Sequence, residues 1–130
     1  MVATLWSCSS VSGVYDKVYI ENRLGPNNTL TVHCKSKDND LGEHNVDFNQ
    51  SYDWGFNETP RTLFWCHIWW YDHHHLVWVN KDMFNLRMRF LGCINDGIGQ
   101  YRCVRRAQWD GIYASQWNRS FTKTYDWIRE

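Results

Sequence analysis

Along much of the chain, apolar residues fall at every second position, the period of a strand with one buried and one wet face. Val18 and Ile20 alternate with Lys17, Tyr19 and Glu21 before Asn22-Arg23-Leu24-Gly25-Pro26-Asn27-Asn28, a stretch dense in turn formers. Leu30, Val32 and Cys34 alternate in the same way with Thr29, Thr31, His33 and Lys35. Ser36 to Gly42 breaks the pattern with Lys37, Asp38, Asn39 and Asp40, and predicts an exposed loop. A short strand over Val46 and Phe48 comes next, and Asn49-Gln50 predicts the turn of a hairpin into Tyr52, Trp54 and Phe56.

Thr62 to Tyr71 is the most apolar segment and predicts a central strand. Phe64, Cys66, Ile68 and Trp70 share one face; Leu63, Trp65, His67 and Trp69 share the other. Beyond Asp72 and the triple histidine, Leu76-Val77-Trp78-Val79 predicts the partner strand across a tight connection. Phe84, Leu86, Met88 and Phe90 alternate as in a strand that would expose Asn85, Arg87 and Arg89. Asn95-Asp96-Gly97-Ile98-Gly99 predicts a turn, Tyr101 to Trp109 further extended structure, and Asp110-Gly111 a tight turn. In residues 114–130, Trp117, Phe121, Tyr125 and Ile128 stand at helical spacings, but the Ser, Thr and aromatic content suits a helix poorly and leaves the structure open. Short strands recurring between turns, without heptads or repeats, predict an all-β, immunoglobulin-like sandwich of about 7–8 strands. Its expected extent is 16–113, between an N-terminal segment (1–15) and a C-terminal extension (114–130).

Composition adds little to the architecture but narrows the chemistry. Lysines and arginines number 14 against 14 acidic residues, so bulk charge gives no reason to expect nucleic acid or a membrane surface. Residues 66–130 are the more basic half, which singles out the segment around Arg87 and Arg89. Five cysteines without a C-x2-C pair favour disulfides over a zinc knuckle. Sequons at Asn27, Asn49, Asn57 and Asn118 point to the same extracellular compartment. The apolar run Val2 to Trp6 is too short for a signal-peptide core, whereas Val11-Ser12-Gly13 looks like the tail of a cleavage region. Residues 1–15 are therefore expected to be a flexible signal-peptide remnant, with Cys8 as the odd, free thiol.

No nucleophile motif, phosphate cradle or carboxylate pair stands out, so the reading is non-catalytic and without cofactor. His73, His74 and His75 alternate in direction along an extended segment and read first as a solvated loop; a zinc or copper site would need His67 with His73 and His75. Asp38, Asn39 and Asp40 lack the glycine and distal glutamate of a calcium loop.

Leu30-Thr31-Val32-His33-Cys34-Lys35-Ser36-Lys37-Asp38-Asn39-Asp40-Leu41-Gly42 closely resembles the signature of the plant self-incompatibility S-protein homologues. The resemblance extends through Val18 to Asn22, Tyr52-Asp53-Trp54-Gly55-Phe56, Thr62-Leu63-Phe64-Trp65-Cys66, Cys103 and Asp110-Gly111-Ile112-Tyr113. It implies a small secreted sandwich with two disulfides among Cys34, Cys66, Cys93 and Cys103. The expected pairing is Cys34–Cys103 with Cys66–Cys93, since Cys34 and Cys103 both lie mid-strand facing a core. Arg105 and Ala107 depart from the family pattern. A core-facing Arg105 is costly to bury, so a bulge or an edge position that reaches solvent is expected. The resemblance also implies a ligand that a cell-surface receptor or other extracellular protein reads. The expected contacts are the 36–44 loop with Lys37, Asp38 and Asp40, the 72–75 loop with His73, His74 and His75, and then Arg87 and Arg89. The second reading is a carbohydrate-binding module that uses exposed Trp65 or Trp69, with cell-wall glycan as the partner.

Overall fold

The computed structural model describes residues 13–130, so Cys8 and residues 1–12 of the expected flexible segment lie outside the described residues. The order of elements is β1 (Tyr15–Asn22), β2 (Leu30–Lys35), β3 (Asp40–Val46), β4 (Ser51–Asn57), β5 (Phe64–Asp72), β6 (His75–Phe84) and α1 (Leu86–Leu91). Then come β7 (Ile94–Gly97), β8 (Gln100–Gln108), β9 (Gly111–Ser115), β10 (Phe121–Tyr125) and β11 (Ile128–Arg129). One sheet runs β10-β9-β8-β1-β4, with β7 also paired to β8; the second runs β11-β6-β5-β2-β3. The pairing of β1 with β8 is parallel, with Val18 opposite Cys103. Eleven strands among the described residues exceed the expected number, but the architecture is the all-β sandwich that the alternation predicts.

The core lies between the sheets. Val18 and Ile20 of β1 and Cys103 and Ala107 of β8 meet Leu30, Val32, Ile68, Val77 and Val79 of the second sheet, all buried. The side near β4 is closed by aromatic rings: Phe56 lies 4.7 Å from Phe64 and 4.9 Å from Phe84, and Trp54 lies 5.5 Å from Phe64. Such offset and edge contacts suit ring quadrupoles and remove large apolar areas from water. At one end of the sandwich, Asn22 is fully buried and ties two loops together. Its Nδ2 donates to the carbonyls of Asn28 (2.7 Å) and Val46 (2.9 Å), while its Oδ1 accepts from the Leu24 N–H.

Four expectations are corrected. The segment around Arg87 is a helix, not a strand: Asn85 caps it by accepting from the Met88 N–H at 2.8 Å, and Phe90 and Leu91 are exposed instead of alternating inward. The disulfides are Cys34–Cys66 and Cys93–Cys103, not Cys34–Cys103 and Cys66–Cys93. Cys34 and Cys66 are direct register partners on β2 and β5, so they meet within one sheet before either crosses the core. The expected boundary at 113 cuts through β9, and the residues beyond it contribute to both sheets: β10 pairs with β9, and β11 with β6. Trp127, buried between them, donates its indole N–H to the Gln108 carbonyl at 2.7 Å. Finally, Arg105 points into the core and never reaches solvent. Its guanidinium donates to the carbonyls of Met83 (2.9 Å), Gly92 (2.6 Å) and Val104 (3.0 Å), a cradle of backbone acceptors that replaces water.

Candidate recognition site

The β2–β3 connection is shorter than the expected loop. Ser36 to Asn39 form a tight turn, closed by the Ser36 N–H to the Asn39 carbonyl at 2.7 Å and steadied by the Asn39 N–H to Ser36 Oγ at 3.1 Å. Residues 40–44 are already β3, so Asp40 is not a free loop carboxylate. It accepts from the Gly42 N–H at 2.9 Å and contacts His33 Nε2 at 2.6 Å, with Lys35 Nζ at 4.0 Å. The Gly42 amide and then His33 hold its carboxyl below the usual range. Asp40 is thereby a clip at the base of the turn, whereas Lys37 and Asp38 stand exposed at its tip, without an ion-pair partner among the described residues.

The tip borders a cleft of about 550 Å³. Phe56 and Phe64 line it from the core side and Trp65 from β5, while the opposite wall is the β4–β5 loop, including Arg61. That loop is stiffened by Thr59 and Thr62: the Thr59 N–H donates to Thr62 Oγ1 at 2.8 Å, and the Thr62 N–H to the Thr59 carbonyl at 3.1 Å. Arg61 is exposed, and its guanidinium has no hydrogen-bond partner among the described residues. The result is a cleft with aromatic walls and with Lys37, Asp38 and Arg61 free to meet a partner. Nothing in the alternation of the sequence pointed to Arg61; its only signal is its place beside Pro60 in a polar connection.

The other expected contacts lie elsewhere. His73 and His74 form a two-residue turn with φ of 49° and 71° between the paired Asp72 and His75. This turn closes the end of β5 opposite the cleft, since Trp65 is paired with Lys35 beside the cleft and Asp72 lies at the far end of the strand. His73 Nδ1 contacts Asp72 at 2.8 Å and Arg129 contacts the same carboxylate at 2.9 Å, holding it below the usual range. His67 sits mid-strand opposite His33 and Asn80, so the structure does not bring it to His73 and His75 as a metal set. Arg87 is exposed on α1, beside a second, smaller cleft of about 320 Å³. Arg89 is not available: it pairs at 3.0 Å with Glu58, whose side chain is largely withdrawn from solvent, and stacks on Phe90 and Tyr101.

Behind Glu58 lies a feature absent from the expectations. Asp16 of β1 is fully buried, and its carboxyl faces Glu58. Burial first, then the Glu58 carboxyl, push it up to about 7, with Arg89 opposing. The signal was present in the sequence: Asp16 and Asn22 share the inward register of Val18 and Ile20, two polar residues in core positions of one strand.

The four sequon asparagines, Asn27, Asn49, Asn57 and Asn118, are all exposed, and Asn57 lines the large cleft.

Fold and cleft define a small disulfide-tied β-sandwich that presents structured turns. The sequence model described as plant self-incompatibility protein S1 matches residues 17–127. S-protein homolog 74 of Arabidopsis thaliana is 38% identical over 104 residues, which cover 78% of this chain and 62% of that protein. S-protein homolog 1 of the same plant is 36% identical over 107 residues, with the same coverage of 78% and 62%. The chain thus spans less than two thirds of the length of these relatives. A solved structure of self-incompatibility protein homologues, described as small, highly stable, secreted proteins from plants, superposes with a TM-score of 0.62 at 21% identity. That alignment covers 89% of this chain and 96% of the other. The chain belongs to the plant self-incompatibility S1 family, the S-protein homologues.

Proposed function

We propose that the protein is a secreted, non-catalytic ligand that a plant cell-surface receptor reads through the Ser36–Asn39 turn and the cleft beneath it. The carrying observation is the contrast between Asp40, wired into β3, and Lys37, Asp38 and Arg61, exposed around one aromatic-walled cleft and unpaired among the described residues. A rigid scaffold that leaves charges of both signs unspent at one rim suits recognition by charge complementarity. Secretion is supported by two disulfides, four exposed sequons and the description of the structurally similar homologues. The reading as a non-enzyme is supported by the withdrawal of Asp16, Glu58 and Arg89 from solvent, since Asp16 and Glu58 are the one carboxylate pair with a perturbed member among the described residues.

The test is binding of fluorescently labelled, oxidised protein to plant plasma-membrane vesicles. Saturable binding is expected, weakened about tenfold or more in a Lys37→Ala, Asp38→Ala, Arg61→Ala variant that keeps its urea midpoint. Asp40 is left intact because its loss would disturb the turn itself. Equal binding by the variant, or no saturable binding to any vesicle preparation, overturns the reading.

A further inference from the structure

The outward face of the second sheet carries a row of aromatic side chains that the core does not use. On β5, Trp65, His67, Trp69 and Tyr71 alternate outward while Phe64, Cys66, Ile68 and Trp70 are buried. The register sets Trp69 opposite Trp78 and His67 opposite Asn80 on β6. The His67 ring lies 4.7 Å from Trp69 and 5.8 Å, edge-on, from Trp78. The Trp78 indole is fixed by donating its N–H to Glu130 at 2.8 Å. Together His67, Leu76, Trp78, Asn80 and Glu130 line a depression of about 210 Å³. Three strand pleats separate Trp65 from Tyr71, so the row is about 20 Å long, and Trp65 at its start also lines the large cleft.

We infer that this face binds an uncharged glycan chain lying along β5, with one sugar ring seated on Trp78. Pyranose rings have an apolar C–H face and a belt of hydroxyls, and the depression offers both complements. Trp78 and Leu76 supply the apolar floor, while Asn80, His67 and the second Glu130 oxygen supply hydrogen-bond capacity at the rim. The depression is smaller than the roughly 300 Å³ at which pockets for drug-sized ligands begin, which suits a single ring. A dry protein surface, including a second copy of this chain, would bury Asn80, His67 and the Glu130 oxygen that Trp78 does not engage without partners, at a cost that sugar hydroxyls avoid. Charge selects among glycans. The depression contains a carboxylate and no lysine or arginine, so the ring seated there is neutral and not a uronate, Lys35 lying beside Trp65 at the start of the row. No sequon lies on β5 or β6, so the protein's own glycans would attach elsewhere.

The inference rests on the extracellular part of the proposed function and is centred on Trp78, away from the Lys37 and Asp38 turn, which the row approaches only at Trp65. The experiment is affinity electrophoresis of the oxidised full chain in gels containing hydroxyethyl cellulose, xyloglucan or polygalacturonate, with calorimetry on a xyloglucan oligosaccharide. Retardation by a neutral glucan is expected, with affinity weakened about tenfold in Trp78→Ala. Asn80→Ala, at an exposed position that the fold does not need, is expected to cost about fivefold and keeps the test open if the tryptophan variant misfolds. Lys37→Ala with Asp38→Ala should bind glucan like the parent, which separates this outcome from failure of the receptor reading. Retardation by polygalacturonate alone, by no glycan, or equally in the parent, Trp78→Ala and Asn80→Ala overturns the inference.

Discussion

Two ionisable side chains, Asp16 and Arg105, are fully buried, and they act differently. Asp16 is held near 7 in the fold by burial and then by Glu58, against 3.8 for an ordinary aspartate. Its folded form therefore keeps a proton that the unfolded chain releases, so the contribution of this group to stability is fully present below about pH 4 and is lost as pH rises through 7. Between pH 5 and 8 the protein should lose about 3 kcal/mol from this group, and Asp16→Asn should flatten that slope. Urea unfolding of both proteins across this range decides it; parallel slopes would assign the proton elsewhere. Arg105 works in the opposite sense, since burial pulls it down only to about 10 and it stays charged at neutral pH. Its three carbonyl acceptors need a fork of N–H donors, which lysine cannot reproduce. Arg105→Lys should therefore cost about 3 kcal/mol, close to Arg105→Met, in thermal unfolding. A well-tolerated lysine would show that the carbonyls need only a charge.

At the scale of elements, legibility tracked the strength of the two-residue alternation. The inward sets Val18 and Ile20, Leu30 and Val32, and Cys66, Ile68 and Trp70 are all buried as read, because each strand has one face on the core and one in water. The same rule misled over Phe84 to Phe90, where alternation was accidental and the Asn85 cap was the stronger signal. It was silent over 121–129, where β10 and β11 are short edge strands with mostly exposed side chains and so carry little alternation. The β5–β6 connection was read correctly as tight, yet both of its turn residues are histidines with positive φ, where glycine or asparagine is less strained. Replacing His73-His74 by Asn-Gly should raise stability by about 1 kcal/mol, measured by urea unfolding. No gain would mean that the His73 contact with Asp72 already offsets the strain.

For the whole molecule, the division between scaffold and site explains what the sequence could not reveal. Lys37 and Asp38 were legible because charges in a turn have nowhere to hide. The contacts of Asp40 with His33 and the Gly42 amide, and the exposure of Arg61 beside the same cleft, were not legible because the difference between a clipped and a free charge depends on partners brought together by the fold. The disulfides show the same limit: facing a core was a valid property of Cys34 and Cys103, but each cysteine pairs with whichever partner the register places beside it. Cys34–Cys66 closes a separation of 32 residues, and Cys93–Cys103 only 10. All four cysteines are buried, so the packing losses on truncation are comparable and the unfolded-chain entropy should set the order. Paired alanine replacement at Cys34 and Cys66 is expected to cost about 1 kcal/mol more than at Cys93 and Cys103. The competing effect is local. Gly92, next to Cys93, gives its carbonyl to both Arg105 and Ser115, so freeing Cys93 loosens the cradle of the buried guanidinium. Urea midpoints of the two variants decide between these effects: the reverse order would place the main role of the shorter bridge in holding Arg105, not in restricting the unfolded chain.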